Sequence, residues 1–576
     1  MLKQERVAAK PNSDSIQRSK KLWEKLRIKS AVDKDERKKL VAELFQIITG
    51  KVKDFVFKHD SVRVIQCALK YATPDQRKQI AQELKGSYRE LAESKYAKFL
   101  IAKVITLDGE LKDLIVPEFY GHVKRLIRHP DASWIMDDIY RAVASPQQKA
   151  VLLREWYGGE FVLLNKQRDM GTVAADLSDI LTASPEKRSP IMQHLKEMTN
   201  QLVQKKTTGF TMLHDALLQY FLNCAPGSSE HSEFLEMLKD DEEGDLFKNL
   251  AFTKSGSKIV CLALAYGNSK DRRTILKHFK THMKLLAYDR YGHLVLLSAY
   301  EAIDDTVMTA KAIFSELTSK DADQETRDVE TLNLALNLTG RISLLYLMSA
   351  NQHKSLLVEE DIAILEKIHE IRKTTSKKDP ETRRTELNKA LSQPLLDFVA
   401  SQAAELVKTS HGCYFVTEVL LGAIGDKDAA LSAVATLADG STEAAVLTTP
   451  HTGRMFKSLT QGGRFDPKTK TVVLCDPPLA FHQRLYDILT QSSKLLDWTR
   501  SDNSWTILAM LESADFDKKQ QLMTFLKEHV NQLVDPESDS KAASSGVTKI
   551  IEVVNGEAGD TSVKRKKKDK QKGEKN

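Results

Sequence analysis

At 576 residues the chain is too long for one compact core, because single cores stop growing near about 250 to 300 residues, so several domains or an extended repeat array must follow. Hydrophobic residues make up 41% and mean hydropathy is −0.37, enough apolar surface to fold, yet there is no apolar run of membrane-spanning length. The formal net charge is +7, and five cysteines (Cys67, Cys224, Cys261, Cys413, Cys475) lie far apart with no CxxC, which argues against a disulfide framework and a zinc module.

Met1 to Lys10 carry charge and no apolar stretch, so no secretory signal peptide is expected there and the protein is expected inside the cell. Charge is unevenly placed. Met1 to Ala150 hold thirty-one Lys and Arg against twenty Asp and Glu, and Lys564 to Asn576 hold eight against two. The segment between, Val151 to Val563, is left at −10. Cationic surface in the first quarter and at the C-terminal end attracts polyanions such as nucleic acid, the plain alternative being a solvated face.

Glycine and proline are sparse and period-two alternation is hard to find, whereas helical spacing recurs from Leu40, Leu44, Ile47 and Ile48 through Ile191, Leu195 and Met198. The chain reads as all-α and repetitive. A small residue, two variable positions and an apolar pair recur in Ser61-Val62-Arg63-Val64-Ile65-Gln66, in Ala97-Lys98-Phe99-Leu100-Ile101-Ala102 and in Ala132-Ser133-Trp134-Ile135-Met136-Asp137. The second variable positions, 63, 99 and 134, are 36 and 35 residues apart, the length of one helical repeat. Later copies begin at Gly209, Gly256 and Gly292, with looser ones at Gly340, Gly412, Gly453 and Asn503. A degenerate copy is expected near Thr172 to Leu181 to fill the double-length gap. The glycine or alanine is read as permitting a tight turn, and the apolar pair as packing into the next repeat.

This pattern divides the chain into a basic N-terminal segment (1–30), a first repeat array (31–370), a basic linker or insert (371–384), a second array (385–535) and a disordered tail (536–576). The ordered series, together with Lys20 to Arg27, His59 to Gln66 and Arg154 to Phe161, resembles the Puf-A type of nucleolar pumilio-repeat proteins, whose C-terminal part is the CPL region. The resemblance implies an α-solenoid of stacked repeats in two arms forming an L shape. It further implies a factor of large-subunit ribosome assembly that acts on pre-ribosomal RNA, binds single- or double-stranded RNA or DNA with little sequence preference, and in some members represses messages.

Pumilio repeats pair two base-edge-reading side chains with a stacking one. Here Val62 and Gln66 flank the stacker Arg63, a near match to that code. Lys98 with Ala102, Ser133 with Asp137, Phe210 with His214, Ser257 with Cys261, and His293 with Leu297 depart from it. The expected nucleic-acid contacts are therefore the cations Lys58, Arg63, Lys95, Lys98, Lys124, Arg125 and Arg128, with Gln66 and the stackers Phe99 and Trp134. Helix packing is the alternative for the two aromatics. Lys564, Arg565, Lys566, Lys567 and Lys568 fit a nuclear or nucleolar signal.

Catalytic motifs are missing from the sequence. Val52 follows Gly50-Lys51 where a P-loop needs Ser or Thr, and Lys373 stands where the HExxH pattern begun by His369-Glu370 needs its second histidine. His278 and His282 share a helical face without a third ligand. No enzyme activity and no cofactor are expected. Expected partners are RNA (pre-ribosomal, with messenger RNA as a second class), DNA in vitro, and ribosomal proteins or assembly factors; no membrane is expected, and the chain is expected to be a monomer. A protein-binding scaffold without RNA contact is the competing reading, suited by the acidic middle segment.

Overall fold

The structure, a computed structural model, describes residues 13–28, 30, 32–59, 61–107, 111–166, 174–241, 243–349, 355–466, 469–533 and 541–556. Among them, helices alternate with short turns and the only strands form one hairpin. No described helix is long and apolar enough to cross a membrane. The chain divides into two units, Met1–Ile259 and Val260–Asn576.

In the first unit, helices come in pairs: α1 (Val52–Val56) with α2 (Val62–Tyr71), α3 (Tyr88–Glu93) with α4 (Lys98–Leu107), and α5 (Val123–Leu126) with α6 (Ala132–Asp138). The second member of each pair carries the repeat motif. In α2, Val62, Val64, Ile65, Ala68 and Leu69 are buried while Arg63 and Lys70 face solvent, so the apolar residues behind the variable positions make the core. α7 (Arg188–Gln204) then precedes the next motif helix, α8 (Thr211–Leu222).

A carboxylate ties each pair to the next. Glu83 accepts the N–H groups of Gly50 (2.8 Å) and Val52 (3.2 Å). Glu118 does the same for Gly86 (2.6 Å) and Tyr88 (2.9 Å), and Glu155 for Gly121 (2.5 Å) and Val123 (3.1 Å). In the second unit Glu316 holds Thr281 (2.7 Å) and Met283 (3.2 Å). Each carboxylate satisfies N–H groups that a helix start leaves without an intrahelical partner, and its negative charge suits that end of the dipole. The held turn needs a left-handed residue: Gly50, Gly86 and Gly121 have φ of +74°, +81° and +81°, and Thr281 accepts +70° without being glycine.

The expected degenerate copy does not join the ladder of motif helices. Residues 172 and 173 lie outside the described residues, and Leu177–Ala183 is a separate short helix. α8 sits directly beside α6: Asp137 accepts the Met212 N–H (3.1 Å), the Tyr140 hydroxyl donates to Asp215 (2.5 Å), and the Trp134 and Phe210 rings meet edge-on at 5.0 Å. Two motif glycines, Gly256 and Gly412, also serve differently from the expectation. A Cβ on Gly256 of α9 (Lys254–Tyr266) would stand 2.2 Å from the Leu250 carbonyl oxygen, and one on Gly412 would stand 2.0 Å from that of Leu406. These positions are small because two helices touch there, not because the backbone needs a left-handed turn.

The second unit continues with α10 (Ser269–His278), α11 (Met283–Tyr288), α12 (Gly292–Ala302), α13 (Thr306–Leu317), α14 (Gln324–Leu336) and α15 (Gly340–Leu345). Next come α16 (Glu359–Thr375), the long α17 (Pro380–Leu406), α18 (Ser410–Gly422) and α19 (Pro450–Gln461). The hairpin pairs β1 (Gly463–Asp466) antiparallel to β2 (Thr471–Leu474), and α20 (Ser504–Glu512) and α21 (Lys541–Val554) close the series.

Two expected segment types are corrected here. Residues 371–384, expected as a basic linker or insert, hold a link of only four residues: α16 ends at Thr375, α17 starts at Pro380, and their arginines are spent on caps. Arg383 donates to the Ile303 carbonyl (3.1 Å) and to Asp304 (2.6 Å), Arg384 to the carbonyls of Tyr346 (2.8 Å) and Leu347 (3.2 Å), and Arg372 to Glu301. They satisfy carbonyls that helix ends leave open. The span expected as a disordered tail from 536 contains α21, which packs on α20 through buried Val547, Ile550 and Val554.

Candidate nucleic-acid interface

The first three motif helices present their variable positions at their N-terminal ends. Arg63 on α2, Phe99 on α4 and Trp134 on α6 are all exposed, the two aromatics by 55% and 59%. Rings of that size facing water are costly unless something covers them, and together they form a row of stacking surfaces. Tyr96 (44% exposed) extends the row; its ring meets His59 of the preceding repeat edge-on at 4.3 Å. Tyr96 is not among the contacts expected from sequence, although it directly precedes the motif alanine.

The predicted cations fall into three groups. Lys58, Arg63, Lys95 and Lys124 are exposed with no carboxylate partner among the described residues, and Lys95 Nζ stands 5.8 Å from the Tyr96 ring centre. Lys98 and Arg125 are committed between repeats: Lys98 Nζ lies 2.9 Å from Asp131 Oδ1, and Arg125 grips Glu93 with both Nε (2.7 Å) and Nη2 (2.9 Å). The hydrogen bond from Lys98 holds the Asp131 carboxyl below its usual range. These two were expected as phosphate contacts, and their charges are already answered by carboxylates of the adjoining repeat.

Arg128 is half-buried, its Nε without a partner, on the loop after α5. Together with Lys124 it stands close to His194 of α7; burial, then the charges of Lys124 and Arg128, hold that imidazole below its usual pKa. The structure therefore places Lys58, Arg63, Lys95, Lys98, Phe99 and Trp134 at the starts of the motif helices or in the loops before them, and Lys124, Arg125 and Arg128 on or just after the preceding helix. Gln66 is half-buried one turn into α2.

The base-edge positions are mostly inaccessible. Val62, Ser133, Asp137, Phe210, His214, Ser257, Cys261, His293 and Leu297 are all buried. Several bond to the protein itself. Burial pushes the Asp137 carboxyl up to about 6 against the pull of the Met212 N–H. His214 donates from Nε2 to the Thr208 carbonyl (2.7 Å) and accepts at Nδ1 from the Thr253 hydroxyl (2.8 Å), and burial pushes it down to about 4. In the second unit α16 lies over α12, with Asp361 3.5 Å from His293, so the stacking position Leu294 is buried too. Among the described residues no group of three metal-ligating side chains occurs, His278 and His282 included. The lysine-rich signal, Lys564 to Lys568, lies outside the described residues.

A family model for the CPL (NUC119) domain matches residues 336–471, from the end of α14 to the start of β2, and so begins ahead of residue 385. Pumilio homology domain family member 6 of Schizosaccharomyces pombe is 32% identical over 557 residues, covering 96% of this chain and 82% of that protein. The chain belongs to the Puf-A family of pumilio-repeat proteins. Human Pumilio homolog 3, of the same family, is 34% identical over 440 residues, 76% of this chain and 64% of that one. Crystal structures of human Puf-A superpose with TM-scores of 0.77 alone and 0.76 in complex with DNA, each at 29% identity over 94% of this chain and 100% of the other. The all-α solenoid of pumilio repeats is thus the Puf-A fold.

Proposed function

We propose that this Puf-A family protein binds single- or double-stranded nucleic acid with little sequence preference, and serves as a nucleolar RNA-binding factor in large ribosomal subunit assembly. One observation carries the reading: the stacking positions Arg63, Phe99 and Trp134 are exposed, while the base-edge positions beside them are largely buried or bonded within the protein. Stacking and phosphate pairing tolerate any base, because every base has a face and every phosphate a charge. The crystal structure of human Puf-A with DNA supports nucleic-acid binding by this fold. The ribosomal setting and the nucleolar location rest on the family resemblance and on the cationic tail at Lys564 to Lys568.

The test is equilibrium binding to oligo-uridine, oligo-adenine and a duplex RNA across a salt series. Similar affinities with a steep salt dependence are expected. Changing Lys58, Arg63, Lys95 and Lys124 together to Gln should flatten the log–log slope for single strands by about 3, near 0.7 for each phosphate left without its cation. Tight binding of one short sequence alone would make the protein a message-specific repressor, and no binding to any RNA would make it a protein scaffold.

A further inference from the structure

The second unit holds a groove of about 1040 Å³ that no motif helix lines. Its walls come from α10, the first residue of α11, α13, α14 and α17 and the turns between them, so it lies away from the motif helices α12 and α15. Met308, Ala312 and Pro394 contribute partly or fully exposed apolar surface. Arg273, Lys277, Lys280 and Lys311 add positive charge from α10, the turn after it, and α13.

Positive charge exceeds negative in the lining of this groove. Glu316 is occupied by the Thr281 and Met283 N–H groups. Asp328 accepts from Gln324 (2.9 Å) and Gln402 (3.0 Å), and Asp397 from Gln393 (2.8 Å), amides that orient these carboxylates but leave their charge in place. With Asp321 these make four lining carboxylates, against six cations, Arg273, Lys277, Lys280, Lys311, Lys320 and Arg327. Lys277, Lys280 and Lys311 are exposed and pair with no carboxylate among the described residues, while Arg273 meets Asp305 only at 3.6 Å. The groove therefore carries an excess of positive charge, with three unpaired lysines among the described residues, beside aliphatic surface. Its two rings, Phe314 and Phe398, are buried, so a nucleic acid would find phosphate partners here but no face on which to stack a base.

We infer that this groove docks an acidic peptide segment of a partner protein, with carboxylates against Lys277, Lys280 and Lys311 and aliphatic side chains beside Met308, Ala312 and Pro394. A helix laid in a groove by apolar anchors, with charge setting its register, is an established way for such a surface to be used. The inference is independent of the nucleic-acid reading, because none of these residues belongs to the proposed interface on α2, α4 and α6.

The test pans the full chain against phage-displayed random peptides of about 16 residues, some four helical turns. Enriched peptides are then titrated by fluorescence anisotropy. Peptides rich in Asp and Glu with Leu, Ile or Met are expected, and their affinity should fall at least about tenfold in a Lys277→Glu, Lys280→Glu, Lys311→Glu variant that keeps its affinity for oligo-uridine. Ala312→Trp, which fills the groove and leaves the lysines in place, should weaken the same peptides. Enriched peptides without acidic bias, or equal affinity for both variants and the parent, would overturn the inference. Loss of oligo-uridine binding in the lysine variant would overturn it as well, by assigning the groove to nucleic acid.

Discussion

Lys95 and Lys98 stand three positions apart in one repeat and have different tasks. Lys95 is exposed beside an exposed ring and has no carboxylate partner among the described residues, whereas Lys98 closes an ion pair with Asp131 of the next repeat. Lys95→Gln should weaken RNA binding with an unchanged urea midpoint; Lys98→Gln should lower the midpoint, by up to about 1 kcal/mol of stability, with a smaller change in affinity. The opposite ranking would show that the Asp131 pair opens to release Lys98 to phosphate. Sequence alone could not separate them, because Asp131 is 33 residues away and only the stacking of repeats brings it near. A buried histidine gives a second residue-level expectation. His214, with a pKa near 4 when folded against about 6.5 unfolded, is neutral in the native state and takes up a proton first on unfolding. Its contribution is fully present above pH 6.5 and is lost as pH falls toward 4, amounting to about 3 kcal/mol at the acid end. Urea midpoints of the parent should therefore fall more steeply across that range than those of His214→Gln, which can keep one donor and one acceptor in the same place. Parallel curves would mean that the imidazole is not held neutral.

Motif helices were legible because their signal is local. A small residue followed by an apolar pair marks the helix start, and all ten quoted copies fall on described helices. What sequence hid were helices defined by distant partners. Arg372, Arg383 and Arg384 look like a solvated basic stretch until the carbonyls at the ends of α12 and α15 are placed beside them. α21 sits in Ser- and Ala-rich sequence with no strong core signal, yet Gly546 lets it lie against α20, where a Cβ would come 2.2 Å from Ser504 Oγ. There Lys549 stands 4.8 Å from the Trp505 ring centre, with Lys457 at 5.1 Å, so the stacking position of the last repeat is covered by the protein's own cations. Gly546→Val should push α21 off at a cost of about 1 to 3 kcal/mol and speed hydrogen exchange across Ser504–Glu512. Unchanged exchange in that helix would show that the contact does not hold α21 in place.

For the whole molecule, net charge proved a coarse guide to surface field. Part of the positive charge between Val151 and Val563 is inside: Arg272 and Arg383 are almost fully buried, Arg272 donating to the Leu264 and Ala265 carbonyls. Burying them leaves the exterior of that segment more acidic, so the cationic groove is a local exception to it, and the salt dependence of RNA binding should report the exposed cations of the first unit rather than the sum of +7. The carboxylate clamps carry a further consequence, for synthesis on the ribosome. Glu83, Glu118, Glu155 and Glu316 each reach back to backbone made earlier, by 30 to 35 residues. The start of α1 thus stays open until Glu83 has left the exit tunnel, and the start of α3 until Glu118 has followed. The clamped repeats of a nascent chain of this kind thus mature in order, each one repeat behind the growing end, and it is the newest, unclamped one that a chaperone would meet.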